Sequence, residues 1–237
     1  MGQTASAITT RRWLRKKFNI QAEEGQMRVA GLDEVGVGPL AGPVVAVAAV
    51  YDELICPFPE LFARVVRVKD HRYRDSKQLS RAARERLFEP LIDAAIDVGI
   101  GWATPEEIDK LEIHVAHKQA LRRAVQDLEV TPDIVIVDGE RYKLRSLGLP
   151  QLALNTADLQ WWQVSAASII AKVWRDRLML EYARQYPGYR FDTNVGYPTV
   201  HHIQGLKDHG ATPIHRMRYT GKFLDEKAPY KSSRSSF

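Results

Sequence analysis

From Met27 onward, apolar positions recur with the short period of strands. "MRVAGLDE" and "PVVAVAAVY" are Val-rich runs bounded by Gly and Pro, which predicts two consecutive strands. At Ser80 the period changes. "SRAARERLFEPLIDAA" spaces its apolar residues as a helix does, and Ser80 stands where an N-cap belongs. "IDVGIGWA" returns to strand character, and "TPEEIDKLEIHVAHKQALRRAVQDL" reads as helix in two pieces. "PDIVIVDG" reads as a short buried strand that stops at a turn. The last long helix is predicted to begin near Ser165 in "SAASIIAKVWRDRLMLEYARQY", and a shorter helical piece, "VHHIQGLKDHG", leads into "TPIHRMRY". Strands dominate early and helices late, with a strand following a long helix. The expected class is α/β, with a mixed, partly antiparallel sheet flanked by helices and a helical C-terminal portion.

Composition narrows this picture. The chain has 237 residues, 45% of them hydrophobic, which is enough for one sizeable core, and the text shows no internal repeat. The expected organisation is a basic, flexible N-terminal arm over 1–26, one domain over 27–222 and a polar tail over 223–237. The formal charge of +5 favours a polyanionic partner, but only weakly. The first 22 residues contain no acid and carry Arg11, Arg12, Arg15, Lys16 and Lys17 around Trp13, Leu14 and Phe18. A solvated arm, an electrostatic nucleic-acid arm and an organellar transit peptide all share that composition. Cys56 is the single cysteine, which excludes an intrachain disulfide and a cysteine-built zinc cage and fits a reducing compartment. No apolar run reaches the roughly 18 residues of a membrane span. A cytoplasmic monomer with no membrane partner is expected, or an organellar one if the arm is a transit peptide.

The chemistry is carried by acids at strand ends. Asp33 and Glu34 close one strand and Asp138 closes another. Neighbouring strand residues point to opposite faces, so Asp33 and Glu34 can share one ion only where the backbone turns or bulges. Gly36 and Gly38 supply that freedom. Hard cations such as Mg²⁺ take oxygen ligands, often a few carboxylates plus phosphate oxygens, so acids gathered at strand ends suggest phosphoryl transfer. Any one of these acids taken alone reads more simply as a turn residue.

Their company changes the reading. "DEVGVGPLAGP", "DSK" at Asp75 to Lys77, "AASIIAKVWRD" and "PIHR" follow one another in a fixed order, and in this the chain resembles the ribonuclease HII family, the type 2 ribonucleases H. The resemblance runs from about Val29 to Tyr219. It implies a ribonuclease H-like fold and a metal-dependent endonuclease that hydrolyses the RNA strand of RNA–DNA hybrids. It also implies cutting 5′ of ribonucleotides embedded in duplex DNA, the entry to ribonucleotide excision repair. Asp33, Glu34 and Asp138 match the family's first three acids, and Asp158 in "TAD", seven residues before "SAAS", matches the fourth. Together they would hold two Mg²⁺ or Mn²⁺ ions. By the same resemblance Gly36, Val37 and Gly38 would read the 2′-hydroxyl through their backbone, Tyr197 in "NVGYPT" would meet the RNA–DNA junction, and Lys77 would contact a phosphate near the cut. Val37, Thr156 and Val195 stand where the family usually carries cations. Lys77, Lys172 and the basic arm are candidates to replace them.

Other residues compete for roles. Asp176 is the rival to Asp158, and inside a helix it reads as an ion-pair partner of a neighbouring Arg. Ser165 and Ser168 can bind phosphate at a helix start or simply cap and pack it. Adjacent His201 and His202 diverge by about 100° on a helix and form no chelating face. His215 reads as structural, with Arg216 near the nucleic acid. Trp161 and Trp162 either stack on bases or pack. The alternatives are another two-metal nuclease, a type 3 ribonuclease H, or a catalytically weak or silent nucleic-acid-binding relative of the same fold.

Overall fold

The computed structural model describes residues 12–21, 27–51 and 76–224. Five strands form one mixed sheet in the order β3-β2-β1-β4-β5, where β1 is Val29–Val35, β2 Val44–Tyr51, β3 Asp97–Ala103, β4 Ile134–Asp138 and β5 Gln151–Leu154. β1 runs antiparallel to β2 and parallel to β4, so the sheet changes direction at the strand that carries Asp33 and Glu34. The predicted strands are present. β5, a short segment beyond "VDG", extends the sheet further than the sequence pattern indicated.

The central strands are apolar because helices cover both faces. On one face Val47, Ala49 and Tyr51 pack against α1 (Arg81–Asp93) and α5 (Trp162–Gln185). On the other, Ala30, Leu32, Ala46, Ala48 and Val137 pack against α2 (Pro105–Leu111) and α3 (Ile113–Gln126). Local chemistry sets the helix ends. Ser80 caps α1 by accepting from the Ala83 amide, and Thr104 and Glu107 close a capping box at the start of α2. α5 starts at Trp162, ahead of the predicted Ser165, because α4 (Ala157–Gln160) turns directly into it. Gly31 lets β1 approach α5 closely: a Cβ there would lie 2.1 Å from the Gln163 carbonyl.

The C-terminal portion is helical, with α6 (Phe191–Asn194), α7 (Val200–His209) and α8 (Met217–Thr220) around a cluster of Leu40, Met179, Tyr189, Phe191 and Ile214. Two expectations at the termini are revised or lie outside view. Residues 12–18 are helical, and Leu14 is buried against Val29, Ile134 and Ile136, so this part of the arm is packed rather than flexible. Residues 1–11, the tail beyond 224 and Cys56 lie outside the described residues. No described helix is long and apolar enough to cross a membrane.

Candidate active site

β1 stays regular to its end. Asp33 is registered with Val47, Glu34 with Ala46 and Val35 with Val45. The predicted turn or bulge between the two acids is therefore absent, and their side chains leave on opposite faces. Leu32 pairs with Val137 on β4, which brings Asp33 and Asp138 side by side where these parallel strands end. Only after Val35 does the chain turn, at Gly36, whose φ of +89° is a conformation that side chains with a Cβ disfavour.

Asp33 is 7% exposed. Burial first, then the negative charges of Glu34 and Asp138, hold its carboxyl well above the usual range, against weaker opposing hydrogen bonds from Ser168 and the Glu34 amide. Asp138 is raised too, again chiefly by burial, with Glu34 adding repulsion and Lys77 opposing it. One Asp138 oxygen accepts from the Ala157 amide at 2.6 Å, and the Asp158 amide also donates to this carboxylate. The start of α4 is thereby fastened to the end of β4. Asp33, Glu34, Asp138, the backbone of Asp158 and Lys77 all fall in one place.

Glu34 reaches the opposite face of the sheet. Its Oε2 lies 2.9 Å from Nε2 of His117, a histidine of α3 that is 1% exposed and tilted against Tyr142 with ring centroids 4.0 Å apart. Among the described residues, no three acidic, histidine or cysteine side chains converge as tightly as a bound metal would require. The acids are gathered but not yet converged. The donor set nevertheless suits a hard divalent cation, since it is all oxygen, partly buried and crowded with negative charge.

The residues expected to meet substrate form a strip beside the acids. A Cβ at Gly38 would lie 3.6 Å from a ring carbon of Tyr197, and Tyr197 is 39% exposed. Leu40 donates to the Gly196 carbonyl at 2.8 Å, and Gly42 donates to that of Ile214 at 2.8 Å. Behind the strip lie two fully buried arginines. Arg216 donates to the carbonyls of Gly36, Val37 and Gly42, and Arg175 to those of Ala41, Pro43 and Val195. Burial lowers Arg175 to about 10 and Arg216 to about 9. Arg216 was expected near nucleic acid and instead holds the loop from inside. Val195 takes a left-handed φ of +44°, a strained choice for a β-branched residue, with Arg175 on its carbonyl.

Several neighbours are settled otherwise than the sequence suggested. Asp176 is buried, not on a helix surface, and pairs with Lys172 at 2.6 Å and Arg84 at 3.7 Å. Lys172, a candidate replacement cation, is thus engaged with Asp176. Ser165 and Ser168 lie inside α5 rather than at its start. Ser168 Oγ lies 2.8 Å from Ser76 Oγ, linking "DSK" to Asp33. His202 meets His215 across 3.0 Å, and burial drives His215 down to about 3. Trp162 is 3% exposed and packs on Tyr51. The sequence reading missed Tyr142 and His117, and it gave Ser168 a phosphate-binding or packing role rather than a place beside Asp33. A polar residue recurring on an otherwise apolar helix face was the available signal for His117 and Ser168.

Known proteins are similar to this chain in sequence and in fold. The family model described as Ribonuclease HII matches residues 30–222. The ribonuclease HII of Pediococcus pentosaceus is 44% identical over 206 residues, covering 86% of this chain and 74% of its own. The ribonuclease H2 structure from Pyrococcus horikoshii aligns with a TM-score of 0.66 at 32% identity, over 83% of this chain and 97% of its own. Bst-RNase HIII in complex with Mn²⁺ shares the fold, with a TM-score of 0.58 at 20% identity over 85% of this chain and 70% of its own.

Proposed function

Because the chain belongs to the ribonuclease HII family and is an endonuclease of the ribonuclease H type acting on RNA–DNA hybrids, we propose that it also cuts 5′ of ribonucleotides embedded in duplex DNA, with Asp33, Glu34, Asp138 and Asp158 as the carboxylates that hold Mg²⁺ or Mn²⁺. The observation that carries this reading is the position of Asp33. It is buried between two other acids, and burial and both neighbours oppose its charge. A fold keeps such an arrangement where a cation is to be received. A pair of divalent ions, when bound, supplies an activated water and neutralises the departing 3′-oxygen.

The chain's own groups do the rest. Lys77, whose charge bears on Asp138, is the candidate to meet a phosphate beside the cut. A ribose differs from a deoxyribose by a hydroxyl that both donates and accepts, so the reader must present polar groups in fixed directions. Arg216 turns the carbonyls of Gly36 and Val37 inward and so fixes the peptide planes of the turn. Gly38, lacking a side chain, lets the backbone approach the sugar, and Tyr197 beside it offers a flat surface at the junction. The loss of usual cations at Val37, Thr156 and Val195 weakens phosphate contact, so the enzyme leans on positioning. Removal of a ribonucleotide from DNA, the start of ribonucleotide excision repair, would follow from such a cut.

The test compares a DNA duplex carrying one ribonucleotide with a long RNA–DNA hybrid, each in Mg²⁺, Mn²⁺ and EDTA. Cleavage of both, leaving 3′-hydroxyl and 5′-phosphate ends and stopped by EDTA, is expected. Cutting of the hybrid alone would remove the embedded-ribonucleotide activity, and cutting in EDTA would remove the metal.

A further inference from the structure

We propose that His117 is a positioning residue for Glu34, holding that carboxylate from behind the sheet so that it can serve the ions of the site. The inference rests on the reading of Glu34 as a metal ligand and names a residue beyond the four acids. Its physical basis is the regular end of β1. Because no bulge turns Glu34 toward Asp33, its side chain leaves on the α3 side and must be brought to the shared edge by something on that face. His117 is the group found there.

Its surroundings make the assignment specific. The ring is 1% exposed, within a helix face otherwise lined by Ala116, Ala120, Leu121 and Ala124. Both ring nitrogens are buried without a hydrogen bond, although Nε2 lies 2.9 Å from Glu34 Oε2. The approach is close, and its angles fall outside hydrogen-bond geometry. A buried polar atom left unsatisfied is costly, and nothing in the packing of this face calls for an imidazole in place of another alanine or leucine. The terminal torsion of a glutamate is soft, so a modest turn of the carboxylate aligns the pair. Tyr142, tilted on the imidazole at 4.0 Å, limits how the ring can move. With that turn one Glu34 oxygen would meet His117, and the other would be left for a cation. Partners of this kind fix the direction of a metal-binding carboxylate.

The experiment measures Mn²⁺ binding to the full chain by electron paramagnetic resonance, without nucleic acid, for the parent, His117→Ala, His117→Asn and Glu34→Ala, alone and combined with His117→Ala. Loss of an outer partner typically weakens metal affinity by roughly 10- to 100-fold, and that is the expected effect of His117→Ala. His117→Asn, which keeps a donor, should recover part of it. In the Glu34→Ala background the His117 substitution should change Mn²⁺ affinity no further. Duplex binding in EDTA should be equal for parent and His117→Ala. If His117→Ala binds Mn²⁺ as the parent does, or weakens it equally without Glu34, the inference falls while the site reading stands. If the parent binds no Mn²⁺, both fall. Should His117→Ala fail to fold, His117→Asn with and without Glu34 decides between the same outcomes.

Discussion

Replacing Gly31 by alanine tests how rigidly β1 is set against α5. The added Cβ would lie 2.1 Å from the carbonyl carbon and oxygen of Gln163 and 2.5 Å from the Val164 nitrogen, whereas ordinary contact begins near 3.4 Å. Strand and helix must therefore separate by about an ångström, and since every clashing atom is backbone, no side-chain rotation absorbs the strain. Overpacking of this kind costs about 1–3 kcal/mol, and the absence of a rotameric escape puts Gly31→Ala at about 3 kcal/mol. For a domain of this size that is a fall in Tm of about 6–12 °C. The separation also acts on Asp33, two residues along the strand, and on its bond from Ser168 in the same helix. Urea unfolding followed by tryptophan fluorescence, with Mn²⁺ binding measured in parallel, provides the assay. A variant within about 0.5 kcal/mol of the parent, the scale of an ordinary surface change, would refute the claim that this contact is backbone against backbone and unyielding.

Other outcomes follow from the same geometry. The Asp33 carboxyl is raised in the folded state, mainly by burial, so its ionisation costs stability above the unfolded pKa, and that cost disappears as pH falls through the folded pKa. Asp33→Asn should therefore raise the Tm of the ion-free protein at pH 7–8, by an amount that shrinks toward acid pH, while abolishing cleavage; a lower Tm at pH 8 contradicts this. Val37→Arg should tighten duplex binding and steepen the dependence of log K on log salt by about 0.9 if the new cation meets one phosphate, as binding titrations across salt concentrations would reveal. Arg216→Lys keeps the charge but not the fork that serves the carbonyls of Gly36, Val37 and Gly42, so at least one is left unpaired at about 1–3 kcal/mol. Denaturant unfolding and steady-state kinetics on the single-ribonucleotide duplex should show lower stability and a raised KM; unchanged values would mean the clamp is dispensable.

Strand and helix assignments were readable because apolar period and caps are local signals. Ser80 and Thr104 cap through side chains three residues from their targets, and "IVIVD" is buried wherever it is placed in a sheet of this kind. The grouping of Asp33 with Asp138 was readable only through the ordered motifs, since a strand end does not announce its neighbour. What escaped depends on contacts made across the fold. The regular register of β1 is imposed by β2, so the glycines after Val35 turn the chain without bending it at the acids. Arg216 looked like a nucleic-acid contact because nothing near it in sequence identifies the carbonyls of Gly36 and Val37 as its partners. The packing of Leu14 likewise required strands still to come, and composition alone showed only the surrounding basic residues.

The two inward-facing guanidinium groups also govern when the enzyme comes into being during synthesis. The glycine-rich turn leaves the ribosome early, but the arginine that fastens its carbonyls is encoded 174 residues after Gly42. Until that late segment emerges, the central strands can pair while the turn beside them has no fixed shape. A nascent chain lacking its final helices would thus carry the acids of β1 beside a turn whose carbonyls Arg216 has yet to fasten.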